Sequence, residues 1–172
     1  MQVATKNKAM KKVLTMVTAI ILTASLSAFA GNDKPVSRQS SYELSFTRLQ
    51  VLDGIDIMLV ESDNRAIQFR GADADVDKVD WKIKDGVMTI SSKKGSLKGK
   101  VQLVVSVNNL AELYIKDGSE VSSEGRLNSA ALKIYLDGDA FISIKSNGGI
   151  KVIKVGDTDV DIRTATGKVV FG

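Results

Sequence analysis

A weak repeat in the C-terminal half constrains this 172-residue chain more than any other sequence feature. Residues 132–144 realign with residues 150–162, which lie 18 residues further along the chain. Apolar residues coincide at 132/150, 134/152, 142/160 and 144/162, and glycine coincides with glycine at 138/156. A short period with two strands per unit is typical of a solenoid of stacked β-coils, because each unit has too little apolar surface to fold alone.

The rest of the chain after Leu44 also reads as one short strand after another, which predicts an all-β fold. The turns between apolar-alternating runs are predicted at Gly54, Gly86, Gly118, Gly138 and Gly156. Strand–Asp–Gly–strand is a strong hairpin signal and favours an antiparallel β-sandwich. The same-phase recurrence of Leu, Ile and Val favours parallel, in-register stacking. We therefore predict a parallel β-helix (β-solenoid) of about seven short coils, with the antiparallel β-sandwich as the alternative.

This fold predicts which side chains of the repeat face the core, because alternate residues of a strand point to opposite faces. The predicted inward residues are Leu132, Ile134, Ile142, Ile144, Val152, Val160 and Ile162. The predicted outward residues are Lys133, Ser143, Lys151 and Asp161.

The first 30 residues have the pattern of a cleaved signal peptide. A basic region carries Lys6, Lys8, Lys11 and Lys12. An apolar run at 13–26 follows, shorter than the ~20 residues that a membrane span needs, and then the small residues Ala28 and Ala30. We expect residues 1–30 to be removed, 31–43 to form a polar leader and 44–172 to form a single β-helix domain. The expected destination is the periplasm, the cell surface or the medium, with a Gram-negative-type envelope.

Charge and composition exclude several functions. Four of the 24 basic residues and none of the 20 acidic residues lie in the first 30, so the remaining chain is neutral although the whole sequence has a pI near 9.2. Nucleic acid therefore loses its support as a partner. The chain contains neither cysteine nor histidine, which excludes disulfides, thiolate zinc sites and Ser-His-Asp catalysis.

Three segments resemble the head GIN domain of auto-transporter adhesins: FTRLQVLDGIDI at 46–57, DGVMTIS at 85–91 and LYIKDG at 113–118. The similarity covers about residues 44–165. It implies a right-handed β-helix of the pectate-lyase type, no recognised catalytic set and an adhesive role. The family's turns are typically Gly-Ser-Gly, and the corresponding turns here begin at Gly118, Gly138 and Gly156.

The acidic stretch at 73–80 opens with aspartate at alternate positions, as an EF-hand calcium loop does. Lys78 stands where that loop needs glycine, and Lys84 stands where it needs glutamate. We therefore interpret the stretch as a solvated acidic loop.

An aspartate ladder follows the turns of the repeat. It comprises Asp117, Asp137, Asp139, Asp157, Asp159 and Asp161. The 18-residue offset stacks Asp139 on Asp157, which makes these two the candidate calcium ligands of the ladder. Because aspartate is also a favoured turn residue, we predict neither a metal site nor a catalytic residue here.

A lysine stretch at 91–100 carries four lysines in eight residues. It could contact an anionic envelope polymer. It lacks interleaved aromatic residues, which disfavours both nucleic-acid stacking and a sugar-binding platform. We interpret it as a solvated loop.

We predict an exported, non-catalytic domain that acts as an adhesin or cell-envelope binding module without a cofactor. One alternative is a cation-assisted polysaccharide lyase or hydrolase that uses the aspartate ladder. Another is a structural envelope component that binds another protein. The expected partner is a surface ligand, either a glycan or an envelope protein. A monomer is favoured, with the apolar strand at 169–171 covering the last coil; a homo-oligomer through this C-terminal edge is the alternative.

Overall fold

The computed structural model describes residues 35–93, 97–155, 160–166 and 169–171. The strands are β1 (Pro35–Ser41), β2 (Arg48–Val51), β3 (Asp56–Glu61), β4 (Ala66–Ala72), β5 (Val79–Lys84), β6 (Val87–Ser92), β7 (Gln102–Val107), β8 (Glu112–Lys116), β9 (Glu120–Leu127), β10 (Ala131–Asp137), β11 (Ala140–Ser146), β12 (Gly149–Val155), β13 (Val160–Thr166) and β14 (Val169–Phe171). One short helix, α1 (Asp73–Val76), joins β4 to β5. Among the described residues no helix approaches the length that a membrane span requires.

The strands form two seven-stranded sheets. Sheet A has the order β1-β4-β7-β3-β9-β11-β13, and sheet B has the order β14-β12-β10-β8-β2-β6-β5. Inward-facing side chains from both sheets meet in one hydrophobic core, which extends along the chain from Tyr42 to Val152. The all-β prediction is confirmed.

The repeat pairs as expected in one of its two strands. From β8 onward the chain alternates between the sheets, and Leu132 pairs in parallel with Ile150. The predicted coincidences at 132/150 and 134/152 are therefore confirmed. Those at 142/160 and 144/162 are wrong, because Ile142 pairs with Ile162 and, after a register shift, Ile144 pairs with Ala165. Four residues separate β12 from β13 whereas two separate β10 from β11, so the two strands of the repeat have different offsets.

The predicted right-handed β-helix of about seven coils is wrong. In a solenoid, neighbouring strands of a sheet follow the order of the chain. Here β2 lies between β6 and β8, and β3 lies between β7 and β9. Moreover, β4 is antiparallel to both β1 and β7, and β5 is antiparallel to β6. In the described part of the chain the strands form two mixed sheets rather than a closed solenoid, which is nearer to the sandwich alternative although many pairs are parallel.

The inward and outward positions of the repeat agree with the prediction wherever side chains are described. The inward residues Leu132, Ile134, Ile142, Ile144 and Val152 are all buried. The outward residues Lys133 and Lys151 are exposed and Ser143 is half-buried. The side chains of Val160, Asp161 and Ile162 lie outside the described part of the structure.

Three of the Asp-Gly turns share one backbone conformation but make two kinds of connection. In the pairs Asp53-Gly54, Asp85-Gly86 and Asp117-Gly118, φ is positive at both residues, as a type I′ turn requires. The turn at 85–86 closes the β5–β6 hairpin, whereas those at 53–54 and 117–118 lead from sheet B to sheet A. Gly138 also has a positive φ, and Gly156 lies outside the described residues.

Candidate functional site

A groove opens between β1 and β5, which are the edge strands of sheets A and B. Its volume is about 330 Å³, at the small end of the range for ligand pockets. We call it the Trp81 groove. Its apolar lining consists of Phe69, Val76, Val79 and Trp81, and its polar lining consists of Arg38, Gln39, Ser40, Asp77, Asp80 and Lys93.

Trp81 packs against the ring of Tyr42, which in turn packs against Phe46. Along β5, Val79 and Trp81 alternate with exposed polar residues, which places Trp81 on the inward side of the strand. The Tyr42 ring meets the Trp81 ring edge-on, with 6.3 Å between centroids, and lies 5.6 Å from the ring of Phe46. The Tyr42 hydroxyl donates a hydrogen bond to the Ser106 carbonyl, and burial raises the pKa of Tyr42. Tyr42 therefore remains a neutral donor, and the indole is packed against a fixed support.

Arg38 joins the two walls of the groove. It lies on β1 opposite Phe69, and its guanidinium donates to Asp77 at 2.6 Å and also to Asp73. Both aspartates belong to the α1 connection, which leads from the last residues of β4 in sheet A to the start of β5 in sheet B. A planar guanidinium can bond two carboxylates at once, so Arg38 links β1 to α1.

Asp75 fixes the other side of α1. Its side chain is 6% exposed. Its carboxylate accepts hydrogen bonds from the Lys78 ammonium at 2.7 Å, the Gly99 amide at 2.8 Å and the Lys98 amide at 3.1 Å. The hydrogen bond from Lys78 lowers the pKa of Asp75, and the two backbone amides lower it further against the opposing effect of burial. A buried carboxylate with three donors is a structural anchor.

The charges that line the groove are balanced. Arg38 and Lys93 are cationic, and Asp77 and Asp80 are anionic. The Lys93 ammonium lies 3.8 Å from Asp80, and both side chains are 57% exposed, so this ion pair is weak. The groove places an apolar indole beside hydrogen-bonding side chains whose positive and negative charges balance. Such a site is suited to an uncharged, hydroxyl-rich ligand rather than to a strongly charged one.

The acidic stretch and the lysine stretch are in contact, which corrects the interpretation of each as a separate solvated loop. Asp75 is buried and accepts the amides of Lys98 and Gly99, and Asp80 faces Lys93. Lys98 and Lys100 are exposed as expected. Residues 94–96 lie outside the described part.

The aspartate ladder is only partly described. Asp137 accepts a hydrogen bond from the Tyr114 hydroxyl at 2.7 Å and lies 3.5 Å from the Lys116 ammonium. The bond from Tyr114 lowers the pKa of Asp137 and raises that of Tyr114. Asp139 accepts the Gly118 amide through its backbone carbonyl at 2.8 Å. Asp157 and Asp159 and the side chain of Asp161 lie outside the described residues, so the Asp139–Asp157 pair is not observed. In the part that is described, no three acidic side chains converge on a metal position.

Sequence reasoning did not identify Arg38, Gln39, Asp77 and Trp81 as neighbours. Arg38 and Gln39 precede Trp81 by more than 40 residues and reach it only because β1 pairs with β4 and α1 crosses to the other sheet. The one available signal was the single tryptophan of the chain, placed in a short alternating strand beside an acidic stretch.

The two mixed sheets with an edge groove define an all-β domain. The chain belongs to the family described as "Putative auto-transporter adhesin, head GIN domain", whose model matches residues 45–170. The predicted family is thus confirmed. No curated protein matches the chain.

Three solved structures are similar to this chain at low sequence identity. A "putative adhesin" from Parabacteroides distasonis is 17% identical, covers 82% of this chain and 80% of its own, and has a TM-score of 0.50. A "putative adhesin" from Parabacteroides merdae is 11% identical, covers 82% of this chain and 96% of its own, and has a TM-score of 0.49. A "putative lipid binding protein" from Parabacteroides distasonis is 13% identical, covers 81% of this chain and 64% of its own, and has a TM-score of 0.44.

Proposed function

We propose that this protein is an exported, non-catalytic adhesin-type binding domain and that its ligand is an uncharged glycan held in the Trp81 groove. The observation that carries the proposal is the position of the only tryptophan of the chain, supported by Tyr42 and surrounded by polar side chains of both signs. An aromatic ring with one apolar face and nearby donors and acceptors matches the alternating C–H and hydroxyl surfaces of a sugar. Membership of the adhesin family supports the role of an adhesin-type binding domain.

The proposed export is supported by the signal-peptide pattern of residues 1–30. A surface location fits the adhesin family, and the periplasm is the alternative.

The non-catalytic part of the proposal is supported by the pairing of the groove's carboxylates. Asp77 is bonded to Arg38, Asp80 faces Lys93, and the nearby Asp75 is bonded to Lys78. A general acid needs a raised pKa and a general base needs a free lone pair directed at the substrate. Release of reducing or unsaturated sugar ends from a polysaccharide by the purified protein would contradict this part.

The binding proposal can be tested through the fluorescence of Trp81, because no second tryptophan contributes. Neutral oligosaccharides that the purified protein captures on a glycan array would be titrated while indole emission is recorded. We expect a saturable change in emission, weakened by Gln39→Ala and by Asp77→Asn. Lys82→Gln is the matched control, since Lys82 is exposed on the opposite side of β5. Capture of no neutral glycan, or capture that leaves Trp81 emission unchanged, would overturn the proposal.

A second candidate function is a structural envelope component that binds another protein by strand addition. It is favoured by the positions of β1 and β5, each of which pairs with one neighbour among the described strands. Such edges can accept an added strand. Extended peptides selected from a random display library would distinguish the two, because a bound strand protects edge amides of β1 or β5 from hydrogen exchange whereas a sugar protects few.

A further inference from the structure

The outward face of sheet B collects cationic side chains. They are Arg48, Lys82, Lys84, Lys116, Lys133 and Lys151. We call this surface the cationic face. Each of these residues alternates along its strand with side chains on the inward side of the sheet, so all six point away from the core.

Strand register arranges four of these cations in one row. The pairs run from Lys84 through Val87 to Arg48, then through Glu112 to Lys133 and on to Lys151. At ~4.8 Å per strand the row is roughly 24 Å long. The ladders along this row contain no register shift, whereas β11 in sheet A is shifted on both sides. The cationic face is therefore a regular surface.

The positive charge is specific to this face. Its carboxylates are Asp80, Glu112 and Asp137, so cations exceed anions by three. The outward face of sheet A is balanced among its described side chains: Arg70, Arg126 and Lys145 stand against Asp56, Glu120 and Glu124. The whole chain after residue 30 is also neutral. The positive charge of this face therefore arises from the arrangement of the strands and cannot be inferred from composition.

Several of these cations are available to a ligand. Lys82, Lys84 and Lys151 make no ion pair with a carboxylate whose side chain is described. Lys133 lies 3.8 Å from Glu112, but both are well exposed, so water weakens that pair. Tyr114 and Tyr135 lie side by side in the next row, and Asp137 fixes the Tyr114 hydroxyl. The face thus presents aromatic rings beside a row of positive charge.

We propose that the cationic face is a docking surface for an acidic polysaccharide, whose carboxylate or phosphate groups contact the row from Lys84 to Lys151. Charge complementarity selects an anionic partner. The two tyrosines add contacts to sugar rings that a bare lipid headgroup surface would not use. The row from Lys84 to Lys151 shares no residue with the Trp81 groove, whose lining is electrically balanced.

The test compares two triple variants that change net charge equally. Lys84→Gln, Lys133→Gln and Lys151→Gln remove charge from the face. The control carries Lys98→Gln, Lys100→Gln and Lys145→Gln, which are exposed elsewhere. Binding to polygalacturonic acid, phosphorylated dextran and unmodified dextran would be measured for both and for the wild type.

We expect the wild type to bind an acidic polymer, to bind unmodified dextran weakly, and to lose binding as salt is raised. The face variant should bind about tenfold more weakly or worse, and the control should change little. Stronger binding to polygalacturonic acid would indicate recognition of carboxylate groups, and stronger binding to phosphorylated dextran would indicate recognition of phosphate groups.

Equal losses in both triple variants, salt-independent binding, or binding to anionic phosphatidylglycerol vesicles but to neither acidic polymer would overturn the proposal. The salt dependence of wild-type binding tests the proposal even if one of the variants fails to fold. Trp81→Leu should leave polymer binding unchanged. Loss in that variant alone would place the acidic polymer in the groove, refuting this inference while leaving a groove-based binding function intact.

Discussion

The carboxylate of Asp75 accepts the backbone amide of Gly99 at 2.8 Å. Through this bond the short helix α1 is attached to the loop that leads into β7, 24 residues later in the chain. Gly99 is suited to this position because a Cβ there would lie only 3.2 Å from the same carboxylate oxygen. The bond holds one wall of the Trp81 groove, since Val76 and Asp77 follow Asp75 directly.

Asp75→Asn should destabilise the protein at neutral pH. The neutral amide cannot match the carboxylate as an acceptor for Lys78 and two backbone amides, and we expect a loss of about 1–3 kcal/mol in the free energy of unfolding. Urea unfolding at pH 7 measures it. Asp80→Asn is the matched control, because Asp80 is exposed and its change should stay within about 0.5 kcal/mol.

The same substitution should alter acid sensitivity. The folded-state pKa of Asp75 is depressed, so its contribution is fully present above the unfolded-state pKa of about 3.9 and is lost as pH falls through the folded value. The wild type should therefore lose more stability than Asp75→Asn between pH 5 and the acid limit. If the free energy of unfolding varied with pH in the same way for both proteins, folding would not lower the pKa of Asp75.

Ile144→Ala should cost about 2–5 kcal/mol, the range for emptying a packed core site. Ile144 is 1% exposed on β11. Lys151→Ala, on the outward side of β12, should remain within about 0.5 kcal/mol. Thermal and urea unfolding of both variants would show whether the inward and outward positions of the repeat are assigned correctly. If they were exchanged, Lys151→Ala would be the more destabilising substitution.

Gly148→Ala should be more damaging than Gly86→Ala. A Cβ at Gly148 would overlap the carbonyl oxygens of Ser129 and Ala130. Because these are backbone atoms, relieving the overlap requires the backbone itself to shift. At Gly86 a Cβ would meet nothing, and only the positive φ is unfavourable, at about 1–2 kcal/mol. Unfolding free energies that rank the two variants in the opposite order would mean that Gly148 does not lie against the Ser129 and Ala130 carbonyls.

Ser129→Ala should leave stability unchanged or raise it slightly. Ser129 is buried, and its hydroxyl is the one buried side-chain polar atom without a partner among the described residues. Removing an unsatisfied hydroxyl relieves a desolvation cost. Ser146→Ala is the comparison, since the Ser146 hydroxyl donates to the Ser129 carbonyl and accepts the Gly148 amide. That variant should lose about 1 kcal/mol in urea unfolding.

Millimolar calcium should not raise the melting temperature. A ligand that binds only the native state stabilises it, and Asp139 and Asp157 were the candidate pair. Differential scanning calorimetry with and without calcium measures this. A shift abolished by the double replacement with asparagine would establish the site.

Local sequence was sufficient for the alternating strands after Leu44, the core side of the repeat and the turn conformations, but it did not indicate β1 (Pro35–Ser41). Leu132, Ile134 and Ile144 are inward because alternation along a strand is a property of neighbouring residues. Asp117 and Gly118 adopt positive φ, which only glycine and a few polar residues do readily.

Tertiary structure alone decided where each strand went. The Asp-Gly turn at 85–86 closes a hairpin while that at 117–118 crosses between sheets, and the turns have the same backbone signature. Alternation is identical for parallel and antiparallel neighbours, so it could not reveal that β2 and β3 lie in the middle of their sheets. The Trp81 groove depends on that outcome, because Arg38 and Trp81 come together only where two sheet edges adjoin. Strand partners are chosen by burial over the whole core, a non-local energy that no short segment of sequence contains.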